Sequence, residues 1–220
     1  MELREAIQNR KSIRGFKDEP VSKETLKEVL ALASRAVSAL NSQPWKFAVL
    51  TGDIKEKIGE ENVACYVNNE PEDVTDPQLD GIYRRRRIDI AKQLFSVMGI
   101  AREDVEKREW WTKRGFRFFD APATILIYMD EDLDVADNIF NIGCVTQNIC
   151  LAAMEYGLGT CVELQAVNYL KGVHKYLDIP EEKNFVIGIA IGYPDDEFPA
   201  NSVVTAREDI NDITSWYGFD

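Results

Sequence analysis

The sequence predicts a single α+β domain that covers residues 1–220. Helical patterns and β-branched apolar runs both occur along the chain, but they do not alternate as regular βαβ units, which favours an α+β fold over a doubly wound parallel sheet. No internal repeat, low-complexity tract or linker rich in Pro, Gly and Ser marks a domain boundary. At 220 residues with 45% hydrophobic content, the chain can bury one sizeable core.

The first half of the chain predicts helices and one strand. Glu2–Asn9 is expected to form a short amphipathic helix. Ser22 can cap a second helix over the segment KETLKEVLALASRAV, where leucine and valine recur at helical spacing. Lys46–Leu50 is predicted to be a strand. The polar, arginine-rich stretch Asp80–Phe119 has apolar residues at helical intervals, which predicts helices outside the central sheet.

The second half predicts two strands and one long apolar helix. Ala123–Met129 is a β-branched apolar run typical of an interior strand, and Phe185–Ile191 repeats that pattern. Between them, Asn138–Tyr156 is apolar around most of its circumference and is followed by Gly157, a residue that commonly ends helices. Such a helix is expected to be fully buried or to lie at an interface.

The composition limits the partners of the chain. A formal net charge of −12 and a pI near 4.7 argue against nucleic acid or an acidic membrane surface, because both are polyanions. The four cysteines show no CxxC spacing, and the start MELREAIQNRKS lacks the apolar core of a secretory signal, which predicts a cytoplasmic protein with reduced thiols. No apolar run approaches the roughly 18 residues that cross a bilayer, so no membrane attachment is expected.

Residues 10–17 (RKSIRGFK) carry four cations in an otherwise acidic chain. Arg10 and Arg14 offer forked donors and Ser12 offers a hydroxyl, and phosphate oxygens accept hydrogen bonds from both kinds of group. One interpretation is therefore a phosphate-binding loop. The other is a solvated basic turn, because short basic clusters are common.

Residues 38–45 (SALNSQPW) close the second predicted helix and lead into a strand. The small and amide side chains of this segment could present donors and acceptors to the edge of a heterocycle, while Pro44 restricts the backbone. From its residue types alone the segment is a turn. Trp45 is expected to anchor the core, because a Trp beside a strand entry usually buries its ring.

These two segments together resemble the FMN-dependent nitroreductase family, whose members carry RxSxR near the N-terminus and SxxNxQPW after it. The matching residues are Arg10, Ser12, Arg14, Ser38, Asn41, Gln43, Pro44 and Trp45. GLGTC at 157–161, IGIAIGYPDD at 187–196, Arg207 and SWYGF at 215–219 are also similar to the family, so the resemblance covers essentially the whole chain. Residues 83–104 and 116–122 resemble the branch that includes bacterial nitroaromatic reductases.

The resemblance implies a mostly antiparallel sheet flanked by helices and an intertwined homodimer with FMN at the subunit interface. It implies that Arg10, Ser12 and Arg207 hold the FMN phosphate, with Lys11 beside them, and that Arg14 lies near the pyrimidine edge of the flavin. Some members have a lysine two residues before the tail arginine, where this sequence has Thr205. The remaining implied contacts come from the other subunit through Ser38, Ala39, Asn41 and Gln43, and from the main chain over flavin N5 through Glu163, Leu164 and Gln165.

The resemblance further implies an oxidoreductase with FMN as cofactor and NADH or NADPH as electron donor. Hydride would pass through flavin N5 to a small oxidised acceptor, such as a nitroaromatic or a quinone, in ping-pong order. Arg14 is expected to stabilise the negative charge that gathers at flavin N1 and O2, with Arg114 as a second candidate. The sequence has no GxSxG, HExxH or P-loop motif, so no side-chain nucleophile or metal site is expected.

Other functions stay open at this point. The same scaffold could serve reductive dehalogenation of an aromatic amino acid or reduction of an activated alkene, with selectivity set somewhere in Glu70–Phe116. The protein could also bind FMN without catalysis, or be an α+β interaction domain without a cofactor.

Several further residues are expected to lie outside the chemistry. His174 is predicted to be structural and Cys161 to be a small buried thiol. Arg84–Arg87 must spread around a helix, so most of them should be solvated. Of Trp110 and Trp111, one could line a substrate mouth while the other packs inward.

Overall fold

The computed structural model describes residues 1–219 and has a four-stranded antiparallel sheet at its centre. The strands lie in the order β1-β2-β4-β3. Both central strands, β2 and β4, were predicted from their apolar runs, and the antiparallel sheet with flanking helices confirms the expected α+β architecture. Asp220, the last residue of the predicted domain, lies outside the described residues. The strand bounds are Lys46–Thr51 for β1, Ala123–Met129 for β2, Gly159–Glu163 for β3 and Asn184–Gly192 for β4.

Seven α-helices surround this sheet within residues 1–219. In chain order they are α1 (Leu3–Asn9), α2 (Lys23–Ala33), α3 (Gly52–Val67), α4 (Gly81–Val97), α5 (Val105–Phe116), α6 (Val135–Glu155) and α7 (Lys171–Tyr176). Short 3₁₀ turns occupy Ala39–Asn41, Phe118–Asp120 and Pro199–Ser202. None of the helices in this described part of the chain is long and apolar enough to cross a membrane.

The sheet is covered on both faces, which explains why its central strands are apolar throughout. In β2, Ile125 and Ile127 point into a core formed with α2 and α6, whereas Leu126 points into a second core with Ile58 of α3 and Phe118. Successive residues of a strand face opposite sides, so a strand buried on both sides loses the polar alternation of a surface strand.

Helix α2 begins as the sequence predicts but ends earlier. The hydroxyl oxygen of Ser22 accepts a hydrogen bond from the Thr25 N–H at 3.0 Å, which satisfies one of the donors at the helix start. The helix ends at Ala33 rather than near Val37, because the N–H groups of Arg35 and Ala36 bond three residues back and tighten the chain into a turn.

Helix α6 stops where Gly157 was expected to stop it. Gly157 has a φ of 70°, in the left-handed region that glycine adopts most readily. Its N–H bonds to Met154 O at 3.1 Å, and the N–H of Leu158 bonds to Ala153 O at 3.0 Å. This pair of bonds is the Schellman motif, which satisfies carbonyls that the helix end would otherwise leave without partners.

Candidate active site

The basic N-terminal loop lies beside β3. Ser12 pairs with Thr160 in a short parallel bridge, and the N–H of Ile13 donates to Thr160 O at 2.9 Å. Farther along, the N–H of Lys17 donates to Tyr193 O at 2.9 Å. Residues 10–17 therefore follow the edge of the sheet, and their cations lie next to the segment that starts with β3.

Asn201 holds the backbone around Arg14. Its side-chain oxygen accepts from the N–H groups of Arg14 at 2.7 Å and Gly15 at 3.2 Å, and its amide donates to Gly15 O at 2.7 Å. Asn201 is buried. A Cβ on Gly15 would lie 2.1 Å from Phe198 Cγ, so only glycine fits there. These contacts give the Arg14 side chain a rigid base, and no sequence signal pointed to Asn201.

The half-buried side chain of Arg14 lies between an aromatic ring and β3. Its Cζ atom is 5.8 Å from the centre of the Phe119 ring, and its charge acts on both Cys161 and Glu163. Burial raises the pKa of the Cys161 thiol to about 12, against the opposite effect of Arg14. Cys161 is therefore a buried neutral thiol, as expected.

The segment after β3 is packed tightly between β4 and α5. A Cβ on Gly188 would lie 2.2 Å from the Cβ of Ala166, and a Cβ on Gly115 would lie 2.0 Å from Gln165 Oε1. The amide of Gln165 also donates to Thr112 O at 3.4 Å. Glycine at these two positions leaves room for the Ala166 Cβ and for the Gln165 side-chain amide.

Arg114 anchors the turn that follows α5. Its Nε donates to Asp120 Oδ2 at 2.7 Å and its Nη2 donates to Phe119 O at 2.9 Å, while Arg117 Nε donates to Asp120 Oδ1 at 2.8 Å. Burial opposes ionisation of Asp120, but the hydrogen bonds from Arg117 and Arg114 outweigh it, and the pKa of Asp120 is lowered. Two of the Arg114 nitrogens are therefore bonded to the local turn, while its Nη1 has no hydrogen-bond partner among the described residues. Arg14, which lies beside β3, stays the first candidate for charge stabilisation.

Residues 38–45 form a tight turn that contacts α6. Leu40, Asn41 and Gln43 have φ values of 52°, 58° and 46°. The N–H of Gln43 donates to Ser38 Oγ at 3.1 Å, and the N–H of Ala39 donates to the side-chain oxygen of Asn141 on α6 at 3.1 Å. Ala39, Asn41 and Gln43 are exposed. Within residues 1–219, the hydrogen bonds of this turn run to α6 and within the turn itself. Trp45, the last residue of this segment, is buried as expected.

Arg207 lies in the exposed tail, which runs along α4. Its Nη1 donates to Thr205 Oγ1 at 2.7 Å and to the carbonyl oxygen of Ala206 at 3.0 Å. The next residue, Glu208, forms an ion pair with Arg86 of α4 at 2.6 Å. Among the hydrogen bonds of the described chain, none joins Arg207 to Arg10 or Ser12. The structure thus joins the 10–14 loop to Thr160 and sets Arg14 close enough for its charge to act on Glu163, whereas the hydrogen bonds of the described residues connect neither Arg207 nor residues 38–43 to this loop.

Comparison with known proteins decides the family. The model of the nitroreductase family matches residues 7–193. The chain belongs to the nitroreductase family. A curated relative, nitrobenzene nitroreductase from Ectopseudomonas oleovorans, is 34% identical over 215 residues, which cover 96% of this chain and 94% of the relative. Chloronitrobenzene nitroreductase from Comamonas testosteroni is 33% identical over 216 residues, with 96% and 94% coverage.

Solved structures support the same assignment for this nitroreductase-family chain. It is similar to the FMN-dependent nitroreductase NfnB from Mycobacterium smegmatis, whose structure is a complex with NADPH, with a TM-score of 0.90 and 25% identity. The match covers 97% of each chain. The family resemblance inferred from the two N-terminal motifs is therefore confirmed.

Two cavities of this nitroreductase-family chain bear on the site. A cleft of about 830 Å³ lined by residues such as Lys17, Lys55 and Arg117 contains none of the predicted cofactor residues. A smaller cavity of about 140 Å³ is lined by Arg10, Lys11 and Thr160 among others. In the smaller cavity, Arg10 and Lys11 lie against Gly159 and Thr160 at the start of β3, which makes it the better candidate for a phosphate site.

The aromatic and cationic residues of α4 and α5 differ in how far they are buried. Trp111 packs against Phe119, with ring centres 5.8 Å apart, whereas Trp110 is 43% exposed. Arg84–Arg87 are exposed, and Arg87 forms an ion pair with Asp76. His174 is half-buried on α7.

Proposed function

We propose that this chain is an FMN-dependent oxidoreductase that takes hydride from NADH or NADPH and reduces a nitroaromatic or quinone in ping-pong order. FMN, when bound, supplies the flavin ring that accepts hydride and passes it on. The observation that carries the proposal is the docking of the cationic loop 10–14 beside β3, where Ser12 and Ile13 pair with Thr160. The names of the most similar relatives support the nitroaromatic substrate class.

The residues at the smaller cavity fit the phosphate end of a flavin mononucleotide. Arg10, Lys11 and Ser12 provide the charged and hydroxyl donors that suit a phosphate dianion. The buried Glu163 carboxyl has two oxygens without a hydrogen-bond partner in the described chain, as expected of a polar group that faces a ligand. We assign the phosphate to Arg10, Lys11 and Ser12; the family resemblance adds Arg207, whose guanidinium bonds within its own tail in this structure.

Arg14 has the role of a fixed positive charge. Because Asn201 and the close contact of Gly15 with Phe198 hold its backbone, the guanidinium needs little reorganisation to stabilise negative charge at the pyrimidine edge. Water exclusion strengthens this effect, since the charge acts in a partly buried setting.

A second copy of the chain completes the site in this proposal. Ile139 and Phe140 of α6 are 52% and 70% exposed, and the tail exposes Trp216 and Tyr217. Clustered exposed apolar side chains of this kind mark interaction surfaces. The 38–43 turn contacts the same helix through the Ala39–Asn141 hydrogen bond, so it lies beside the surface on which we propose that the second copy docks. A cytoplasmic location stays a prediction.

The direct test is the visible spectrum of the purified protein. We expect a yellow protein whose flavin absorption bleaches on anaerobic addition of NADH or NADPH and returns on addition of a nitroaromatic. A colourless protein that FMN does not stabilise against heat would contradict flavin binding. A yellow protein whose flavin neither nucleotide reduces would bind FMN without this catalysis. A panel of halogenated and alkene acceptors would separate the alternative reductions.

Replacing Arg14 by Ala tests the site within the same assays. Loss of a charged hydrogen bond and of a fixed charge is expected to weaken FMN binding or slow its reduction by about tenfold or more. Arg14→Lys keeps the charge and should recover part of the loss. The exposed Arg102→Ala serves as the control and should behave like the unaltered protein. Equal FMN affinity and equal reduction rates in Arg14→Ala would remove Arg14 from the mechanism.

A further inference from the structure

Arg114 is a buried arginine whose guanidinium group contacts two separate segments of the chain. The residue is 6% exposed. Its Nη2 donates to the carbonyl oxygen of Phe119 at 2.9 Å and its Nε donates to Asp120, while its Cζ atom lies 4.5 Å from the centre of the Phe198 ring. A planar fork can bond a turn through its edge and pack on an aromatic ring at the same time. Arg114 therefore ties the 118–120 turn to the segment that carries Phe198.

Phe119 and Phe198 are also the aromatic neighbours of Arg14 and Gly15. The Cζ atom of Arg14 is 5.8 Å from the centre of the Phe119 ring. The Phe198 side chain lies so close to Gly15 that a Cβ added there would be 2.1 Å from Phe198 Cγ. Through one carbonyl and one ring, Arg114 holds both residues against which the Arg14–Gly15 segment packs.

Backbone hydrogen bonds reinforce the connection on the Phe198 side. The N–H of Asp195 donates to Gly15 O at 3.0 Å, and the N–H of Phe198 donates to Asp195 O at 3.2 Å. Phe198 therefore belongs to a turn that is itself bonded to the Arg14 loop. Because protein interiors are close-packed and transmit strain, a displacement of the Phe198 ring would be felt at Gly15 and at the neighbouring Arg14.

We propose that Arg114 is a positioning residue, which fixes the guanidinium of Arg14 through Phe119 and Phe198 and does not act on the flavin with its own charge. The inference rests on the proposed function, in which Arg14 stabilises negative charge on the flavin. Positioning needs the fork and the flat face of an arginine, whereas a direct electrostatic effect needs only a positive charge. Arg114→Lys separates the two roles, because it keeps the charge and loses the fork.

Amide hydrogen exchange tests the positioning without any cofactor. The N–H groups of Ile13, Arg14, Gly15 and Lys17 are all hydrogen-bonded, so residues 13–17 should exchange slowly in the wild type. Arg114→Lys should speed their exchange by about tenfold or more and leave β2 and α6 unchanged, since local loosening opens only the segment it supports. Unchanged exchange in residues 13–17, or equal acceleration in β2 and α6, would overturn the inference.

Titration with FMN, after bound flavin has been removed, tests whether Arg114 acts through Arg14. Arg114→Lys should weaken FMN binding by about tenfold, as for loss of an oriented charged contact. In the Arg14→Ala background the same change should weaken binding by less than about twofold, because the residue that Arg114 positions is already absent. Wild-type affinity in Arg114→Lys would show that charge alone suffices, and equal weakening in both backgrounds would show an effect independent of Arg14. Either result would contradict positioning.

Arg108→Lys is the matched control. Arg108 lies on the same helix, its Cζ atom is 5.4 Å from the centre of the Phe95 ring, and its Nη1 donates to Arg102 O at 3.0 Å. It thus makes the same two kinds of contact, but with residues of α4 and of the chain between α4 and α5. The control should keep wild-type FMN affinity and wild-type exchange in residues 13–17. A loss as large as that of Arg114→Lys would remove the special role of Arg114.

Phe198→Leu carries the same test if Arg114→Lys does not fold. Leucine keeps an apolar side chain beside Gly15 but removes the ring on which Arg114 packs, so exchange in residues 13–17 should rise and FMN affinity should fall. Wild-type behaviour of Phe198→Leu in both measurements would overturn the inference. If the wild-type protein binds no FMN, the proposed function fails, whereas hydrogen exchange still decides whether Arg114 holds the Arg14 segment.

Discussion

Three consecutive residues, Phe118, Phe119 and Asp120, have φ values of 59°, 51° and 56°. Such left-handed conformations cost about 1 kcal/mol or more for residues with a side chain, and they persist only where the surroundings hold them. Here the guanidinium groups of Arg114 and Arg117 hold Asp120, and Phe118 is fully buried in the core. The turn places Phe119 beside Arg14, so this strain helps to shape the candidate site.

Asp120→Asn should lower the free energy of unfolding by about 1 kcal/mol at pH 7. Asparagine tolerates the backbone angle but leaves the buried Arg114 without a charged partner, and the loss of stability is modest because the Asp120 side chain is 45% exposed. The pKa of Asp120 is lower in the folded chain than in the unfolded chain. The stability that the ionised Asp120 contributes is therefore present at pH values above the unfolded pKa and is lost as pH falls through the folded pKa.

Urea unfolding at several pH values checks this prediction. The difference between Asp120→Asn and wild type should shrink as the solution becomes acidic. Asp130→Asn is the matched control, because Asp130 forms ion pairs with Lys46 and Lys183 at the surface and should matter less. A larger loss in the control than in Asp120→Asn would show that the turn does not depend on its ion pair.

At the scale of elements, caps and turn residues explain which boundaries the sequence predicts well. The start of α2 depends on Ser22 and the end of α6 depends on Gly157, and both residues act on the neighbouring turn of chain. Helix α3 was not predicted, because its buried residues include Lys55 and Asn62 and so form no clear apolar stripe. Burial of the Lys55 ammonium is possible because it donates to Ala121 O, a contact made by tertiary packing.

Ser22→Ala should destabilise the protein by about 1 kcal/mol, because the Thr25 N–H loses its acceptor at the start of α2. Ser22→Asp, which retains an acceptor, should stay close to wild type. Chemical unfolding of the three proteins measures the effect. If alanine and aspartate were equally destabilising, the cap would not contribute as assigned.

At the scale of the whole molecule, one chain leaves much apolar surface in water. On α1, α2, α6 and the tail, the exposed apolar side chains include Leu3, Ile7, Leu32, Ile139, Phe140, Ile213, Trp216, Tyr217 and Phe219. Burial of such surface is the main driving force of association. The predicted homodimer would cover it, and the long apolar helix α6 would then be the interface helix that its sequence pattern allows.

Sedimentation over a range of protein concentrations tests the predicted homodimer. The wild-type protein should have twice the mass of one chain, whereas Phe140→Asp should weaken association because it places a charge on the proposed interface. Phe140 and Val105 are both 70% exposed, so Val105→Asp, on α5, is a matched control that should remain dimeric. A monomeric wild type, or equal dissociation of both variants, would contradict the predicted arrangement.

The sequence by itself determined the features that depend on short stretches of chain. The apolar runs predicted β2 and β4, and the spacing of Arg10, Ser12 and Arg14 from residues 38–45 predicted the nitroreductase family. The single domain over residues 1–220 stays a prediction. These signals are readable because burial periodicity, cap chemistry and motif order are all encoded in neighbouring residues.

Only the tertiary structure decided which distant residues meet. Asn201 holds the backbone of Arg14 from 187 positions away, and Gly188 admits the segment after β3 because β3 pairs with β4. The lack of a partner for Glu163 likewise appears only when every neighbour is in place. Pairwise contacts over such separations leave no periodic trace in the sequence, because they depend on how the elements pack rather than on any local preference.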